Sequence, residues 1–436
     1  MIEFLLSTFY FIIFCFIISK IAFFKEKNIP RSWFLILFGL KIIVSVFLTY
    51  IYSRYYTNRD TADIFKYFDD SKIMFGAIKT NPFDYLKMLI GFDNDSTHFN
   101  NNYYQYMGNW IRPETNDLFT DTHIIIRFNA FVHLFSFGYI HVHNVFINFI
   151  SIIGLTTIFK AFKPFLYHKE KVLFYLLALI PSILFWGSGL LKESIIFFAL
   201  GVLFLNVFSL TKKIKPLNFV YILAAVLLIV FTKFYLLVAL SIPILGYLLN
   251  LYFSLKKPII GYLISFTLFM VTITIAPLIF EELNFIKQIA IKQQDFSRFV
   301  LVEGATSGFI LPELSDGISL LTNIPNALLN TLVRPFLWEC NALFVWLSAF
   351  ENIVVLALII IAIVFRKKMN TAQKNIFYFN LIFVFCLFTI IGLTTPVFGA
   401  IMRYKIPGLI LLLISLLLLV DLQKIKHKYP FLKKIL

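Results

Sequence analysis

Along this chain, apolar runs alternate with short polar or basic breaks, and many of them reach about 18 residues or more, the length needed to cross roughly 30 Å of hydrocarbon as a helix. The first run, about 4–24, is followed by the basic stretch KEKNIPR; the second, about 34–52, opens into a long polar stretch, 53–122. Further runs lie at 141–160, 172–187, 194–210, 217–232, 258–279, 340–365, 375–393 and 406–422, with another between Lys233 and Lys256. Together they predict an all-α polytopic membrane bundle, a single transmembrane domain over 1–436 with about eleven transmembrane helices. Segment 123–138 is shorter and carries Arg127 and His133, so it reads as a re-entrant or interfacial helix tolerated only against protein. Within 281–337, the pattern EELNFIKQIAIKQQDFSRFV predicts an amphipathic helix lying on the membrane surface.

Orientation follows from the short loops, because Lys and Arg there are retained in the cytoplasm. KEKNIPR, the loop from Lys160 to Lys171, KKIK, Lys256-Lys257, Arg366-Lys367-Lys368 and the Lys-rich tail are all basic. Assigning them inside places the N-terminus and the two large loops, 53–122 and 281–337, on the extracytoplasmic side, with the C-terminus cytoplasmic. The start, MIEFLLSTFYF, lacks the positive n-region and cleavage site of a secretory signal, so the first helix is expected to be retained. No internal repeat is evident, which disfavours transporter folds built on inverted repeats.

Composition sharpens the membrane reading. The chain is 60% hydrophobic and 14% charged, with a mean hydropathy of +0.84, more apolar surface than a soluble domain can enclose. Its formal charge of +16 does not point to nucleic acid, because the basic residues cluster in short inter-helix loops. Cys15, Cys340 and Cys386 lie far apart without CxxC spacing, so neither a disulfide framework nor a cysteine metal site is indicated.

Ionisable residues near or within a bilayer are costly, which makes them functional candidates. On the predicted topology they gather on the outer side: Asp60 and Asp63 in RDTADIFKYFDD, Lys192 and Glu193 after FWGSGLL, Lys233, Arg334 and Glu339 framing RPFLWE, and Arg403 and Lys405 in MRYKIP. Leaving out the aspartates, five basic groups oppose two acidic ones, an inventory that suits a phosphate or diphosphate head group. The plainer reading is local ion pairing or snorkelling at helix ends. Asp60 and Asp63 share a face if helical, where they can act as a general base, ligate a divalent metal, or simply start a helix. Asp69 and Asp70 read as a solvated face. Glu351 lies deep in a predicted span and, with Asn341, Ser348 and Asn352, suits an interhelical hydrogen-bond network. His141 and His143 open a helix at the outer face, where an interfacial role is favoured over metal ligation. The Tyr and Trp residues of YYQYMGNW can stack on sugars or belong to an interfacial belt. No P-loop, GxSxG, HExxH or dinucleotide fingerprint stands in a suitable context.

RDTADIFKYFDD after an early helix, PSILFWGSGLLKES, RPFLWE and the late MRYKIP together resemble the bacterial polytopic glycosyltransferases of the GT-C type and the O-antigen or capsular polysaccharide polymerases. The likeness is architectural over most of the chain. It implies glycosyl transfer from polyprenyl-phosphate-linked or diphosphate-linked sugars on the outer side of the bacterial inner membrane. Asp60 or Asp63 would be the base, and Arg334, Arg403, Lys192 and neighbouring lysines would hold the phosphate. The implied partners are the lipid-linked sugar and membrane lipid. A divalent metal is possible and no other cofactor is implied. Two departures stand out: the acidic motif follows the second helix instead of the first, and no separate globular domain follows the membrane part. A transporter or flippase for an anionic lipid-linked substrate, and a scaffold of an envelope complex, are the competing readings.

Overall fold

The computed structural model describes residues 1–55, 59, 62–110, 121–211, 214–280, 283–303 and 307–431, without the side chains of 299 and 301–303. The described residues are helical with two isolated β-bridges. The α-helices are α1 Ile2–Lys20, α2 Arg31–Tyr55, α3 Asp63–Thr80, α4 Pro82–Ile90, α5 Thr97–Asn102, α6 His123–Ser136, α7 Ile140–Phe162, α8 Glu170–Leu179, α9 Pro181–Trp186, α10 Lys192–Ser209, α11 Pro216–Tyr252, α12 Ile259–Ile279, α13 Phe285–Glu303, α14 Gly317–Leu332, α15 Leu343–Val364, α16 Thr371–Thr394, α17 Phe398–Tyr404, α18 Ile406–Leu419 and α19 Leu422–Lys428.

Eight of these (α1, α2, α7, α10, α11, α12, α15 and α16) are long and apolar enough to cross a membrane, and α17–α18, bent by 56°, makes a ninth when counted as one span. The chain is a multi-pass, all-α membrane protein. Its side chains are distributed as a lipid solvent demands: Phe4, Phe9, Ile12 and Phe16 of α1 and Ile360 and Val364 of α15 are exposed, whereas Lys41, Asn144, Asn148, Glu351 and Asn352 are buried.

One expected span is interrupted and two adjoin in one helix. The run 172–187 is split into α8 and α9 at Ile180, whose backbone is extended (φ −63°, ψ 124°), and Pro181 opens α9. Proline disfavours helix in the residue before it and supplies no backbone N–H. Helix α11 covers two expected runs, 217–232 and the one after Lys233, and Lys233 leaves the helical region (φ −152°, ψ 87°) where the sequence predicts a turn.

The chain divides into two compact units. The first contains 1–161 and 183–234. Here α7 and α10 meet through glycine: a Cβ on Gly201 would lie 2.7 Å from the Gly154 carbonyl oxygen, so only small residues allow this approach. The stretch 53–122 packs its helices α3, α4 and α5 with α6 in an apolar cluster that includes Phe68, Met74, Tyr85, Met88, Tyr104, Trp110 and Ile126 and is continuous with Leu48 and Tyr52 of α2, Ile147 of α7 and Ile195 of α10. Asn81 caps α4 by accepting from Phe83 N–H (3.1 Å) and Asp84 N–H (3.4 Å), and Arg127 closes the other end by donating to Met88 O (2.9 Å).

Three readings of this region change. Asp70 is buried and accepts from the backbone N–H groups of Gly108 and Asn109 (2.9 Å each), because 107–109 folds back over α3; it is not a solvated face. Burial raises its pKa more than these two amides lower it. Tyr103, Tyr104 and Trp110 are buried, so these three serve neither as a sugar platform nor as a belt, whereas Tyr106 is exposed. Tyr104, Trp110 and His123 instead form a column of stacked rings with centroids 4.8 and 3.7 Å apart, and Arg127 sits 5.3 Å from the Trp110 ring. His143 lies inside a network, its ring nitrogens 2.9 Å from Asn129 Oδ1 and 2.8 Å from Ser136 Oγ.

The second unit contains 162–182 and 235–436. Asp316 caps α14, accepting from Ser319 N–H at 2.7 Å, and Asn370 caps α16 through Gln373 N–H at 2.8 Å. Helices α14 and α16 approach so closely at Ala327 and Gly392 that a Cβ on Gly392 would fall 2.5 Å from the Ala327 carbonyl carbon. Thr331 Oγ1 donates to Phe388 O (2.8 Å) in the same contact.

Candidate functional site

Most predicted site residues can be placed; Asp60 lies outside the described residues. Asp63 is the first residue of α3, where a carboxylate suits the positive end of the helix dipole.

In the first unit, Lys192 and Glu193 open α10, and both are buried. Their partners are not each other. Lys192 Nζ pairs with Asp121 Oδ2 at 2.5 Å, and Glu193 Oε1 accepts from Lys233 Nζ at 2.8 Å. The break in α11 is what releases Lys233 from the helix to reach Glu193, so a motif boundary in the sequence corresponds to a buried ion pair. The WGSG turn before α10 is clamped by neutral and cationic donors: Gly187 O accepts from Lys41 Nζ (2.6 Å), Ser151 Oγ (2.7 Å) and Ser194 Oγ (3.0 Å), and Ser188 O accepts from Asn148 Nδ2 (2.8 Å). Lys41 is fully buried in α2 and was missed from the sequence, although an isolated lysine in FGLKIIVSVF is a visible signal.

In the second unit, RPFLWE and MRYKIP are drawn together. Helix α14 ends at Leu332, and Leu337–Glu339 forms a single 3₁₀ turn that brings Glu339 back to Arg334. Arg334 Nε donates to Glu339 Oε1 (2.9 Å), Nη2 donates to the same carboxylate, and Nη1 donates to Asn330 Oδ1 (3.0 Å). Burial raises the Glu339 pKa, but hydrogen bonds from Arg334 and the Phe336 amide lower it further, to a net value below the usual carboxylate range. The guanidinium also lies over Phe309 (4.2 Å) and Phe398 (5.2 Å), two rings stacked at 4.8 Å. Backbone pairing holds these rings in place, Phe309 N donating to Pro396 O (2.9 Å) and Phe398 N to Ser307 O (3.1 Å).

Asn352 of α15 ties the two motifs. Its Nδ2 donates to Val333 O (3.1 Å) and Arg334 O (2.8 Å), and its Oδ1 accepts from Lys405 Nζ (2.6 Å). Lys405 also donates to Thr331 O (3.2 Å) and feels the charge of Glu351. Arg403 is buried in α17. Glu351, next to Asn352, accepts from both the backbone N–H (2.8 Å) and the hydroxyl of Ser182, capping α9 from another helix.

Arg334 borders a cavity of about 320 Å³ lined by Ile310, Pro312, Asn326, Leu329, Asn330, Phe336, Trp338 and Glu339. A guanidinium has five N–H donors, and three are engaged by Glu339 and Asn330. One N–H on each terminal nitrogen has no acceptor among the described residues. Donors on the terminal nitrogens are what arginine uses to bind phosphate or carboxylate.

No protein-family model, curated protein or solved structure matches this chain. Its functional reading therefore rests on its own residues. Among the described residues, no group of three or more His, Cys, Asp or Glu is placed to hold a metal ion. The expected pairing of Asp60 with Asp63 falls partly outside those residues.

Proposed function

We propose that this protein is an extracytoplasmic-face glycosyltransferase or polysaccharide polymerase of a bacterial inner membrane, using sugars linked to polyprenyl phosphate or diphosphate. The observation that carries the reading is Arg334: a partly desolvated guanidinium, fixed by Glu339 and Asn330 and stacked on two Phe rings, borders an open cavity and keeps two donors that no described residue accepts. Such a group binds the phosphate of a lipid-linked donor and stabilises the charge that grows on it as the sugar departs. Exposed Ile310 on the cavity rim and exposed Leu343 at the start of α15 suit a prenyl tail.

In the transfer step, an acceptor hydroxyl gives its proton to a carboxylate and its oxygen bonds to the sugar C1. The bond from C1 to the phosphate oxygen breaks, and that oxygen leaves with the electron pair. Eleven crossings complete the proposal: Lys233 divides α11 into two, and α8 with α9 forms one broken crossing. The N-terminus is then outside, and the C-terminus inside. A flippase needs ionisable groups along a path; Glu351, the midplane group singled out for that role, is occupied in capping α9.

The test is complementation of a deletion strain with Arg334→Ala and Arg334→Lys. Removing a preorganised donor to developing charge costs about 10²–10³ in rate. Both variants should lose surface glycan while accumulating normally in the membrane, because lysine offers a point charge without the planar guanidinium. Normal glycan from Arg334→Ala would sink the proposal, and an inward-facing lipid intermediate would point to a flippase.

A further inference from the structure

The cavity beside Arg334 carries a second kind of chemistry. Trp338 is 81% exposed, and one face of its indole is covered by Phe336, the rings 4.7 Å apart and 16° from parallel. No described residue stacks on the other face. Across the same cavity, Asn326 and Asn330 lie one helical turn apart on α14, so their amides share a face. The Asn326 side chain hydrogen-bonds to none of the described residues, and the Asn330 carboxamide uses its oxygen for Arg334 and keeps its NH₂.

We propose that Trp338, Asn326 and Asn330 form a pyranose-binding subsite adjoining Arg334. A pyranose has one face of C–H bonds, which stacks on an aromatic ring, and an edge of hydroxyls, which pair with amides that both donate and accept. Of the aromatics in YYQYMGNW, Tyr103 is buried and Tyr104 and Trp110 spend their ring faces on each other and on His123, while Tyr106 is exposed. Trp338 lines the cavity and keeps one face on which no described residue stacks. A tryptophan that only anchors the chain at the bilayer surface needs an apolar body and a wet tip; Trp338 instead shares its cavity with an arginine, a glutamate and two amides. The subsite rests on the proposed function for its phosphate end, since the ligand is then a sugar whose anomeric oxygen carries phosphate.

The test uses the full chain in lipid nanodiscs and two sets of probes. One is a panel of hexose and N-acetylhexosamine 1-phosphates, and the other is polyprenyl phosphate without a sugar. Saturation-transfer NMR on the wild type should show the pyranose ring protons receiving the strongest transfer. Trp338→Ala should weaken sugar phosphate binding about tenfold, the upper end of one aromatic contact, and leave polyprenyl phosphate binding unchanged. Trp338→Phe should restore most of the affinity, which shows that the variant protein is folded and that the ring is what matters. Arg334→Ala should lose both classes. Equal weakening of the sugarless lipid by Trp338→Ala would make this residue a lipid contact and overturn the subsite. So would wild-type binding of polyprenyl phosphate with none of the sugar phosphates. Sugar phosphate binding that depends on Trp338, without any affinity for polyprenyl phosphate, would leave the subsite standing and remove the lipid-linked donor.

Discussion

The substitution Gly392→Ala should reduce activity far more than its size suggests, although residue 392 does not line the cavity beside Arg334. Helix α14 carries Asn326 and Asn330 and runs directly into Arg334, and its position is set by its packing on α16 at Ala327 and Gly392. A Cβ at 392 would sit 2.5 Å from the Ala327 carbonyl carbon and 2.6 Å from its Cα, where ordinary van der Waals contact begins at 3.4 Å. The obstruction is backbone, so no rotamer relieves it, and the helices must part by roughly 1 Å. Overpacking of this kind costs about 1–3 kcal/mol, and a shift of about 1 Å in a positioned group costs on the order of 10²-fold in rate. The Thr331–Phe388 hydrogen bond, at 2.8 Å, should stretch with the same movement. Gly399→Ala is the control, since the nearest atom to its added Cβ is Ser307 Oγ at 4.0 Å. Thermal unfolding in detergent and glycan output in a complemented deletion strain should separate the two variants. Wild-type stability and output for Gly392→Ala would refute the idea that this crossing positions the cavity.

Three further outcomes are expected. Lys41→Met should accumulate normally, because Gly187 O keeps its hydrogen bonds from Ser151 (2.7 Å) and Ser194 (3.0 Å), whereas Lys41→Glu sets a carboxylate against that carbonyl and should abolish accumulation in membrane immunoblots. Glu351→Leu leaves the N–H and hydroxyl of Ser182 without their acceptor, a loss of roughly 1–3 kcal/mol for each buried group; Glu351→Gln keeps an acceptor and should unfold close to wild type in a thermal-shift series. His123 is held neutral by burial, its pKa lowered to about 4 from 6.5. The unfolded state therefore binds the extra proton between these values, so the stabilisation is full above about pH 6.5 and is lost as the pH falls toward 4. Amide protection across 97–110, corrected for the intrinsic pH dependence of exchange, should fall over that window and vary less with pH in His123→Phe; an unchanged profile in the variant would count against the assignment.

The membrane character of the chain is legible because it depends on apolar run length, a local property. α7, α12 and α16 begin and end within a few residues of the runs that predict them. What depends on distant partners is not legible in the same way. Pro181 announces a break after α8, but the carboxylate that stabilises the new helix start is Glu351, 169 residues from Ser182. Asp70 looks solvated because its partners, the amides of Gly108 and Asn109, have no side-chain signature. For the candidate site, Arg334 with Glu339 was readable as an i, i+5 pair of opposite charges. The true partners of Lys192 and Glu193 were not, because adjacent residues on a helix point apart and each found a counter-charge elsewhere. Asn352, which joins Arg334 to Lys405, was legible only as one polar residue among several on an apolar helix.

The clamp on Gly187 also imposes an order on biogenesis. Lys41 enters the membrane with α2, yet the carbonyl it donates to is 146 residues further along the chain. At roughly 5–20 residues per second, synthesis takes about 7–30 s to reach it. Throughout that interval a buried-to-be ammonium has no final acceptor, and a lysine at the centre of an isolated helix costs about 2.5–3.5 kcal/mol to insert. Helix α2 is therefore made well before the carbonyl that its lysine binds, and the first unit closes around Lys41 only once α7 and then the WGSG turn have followed.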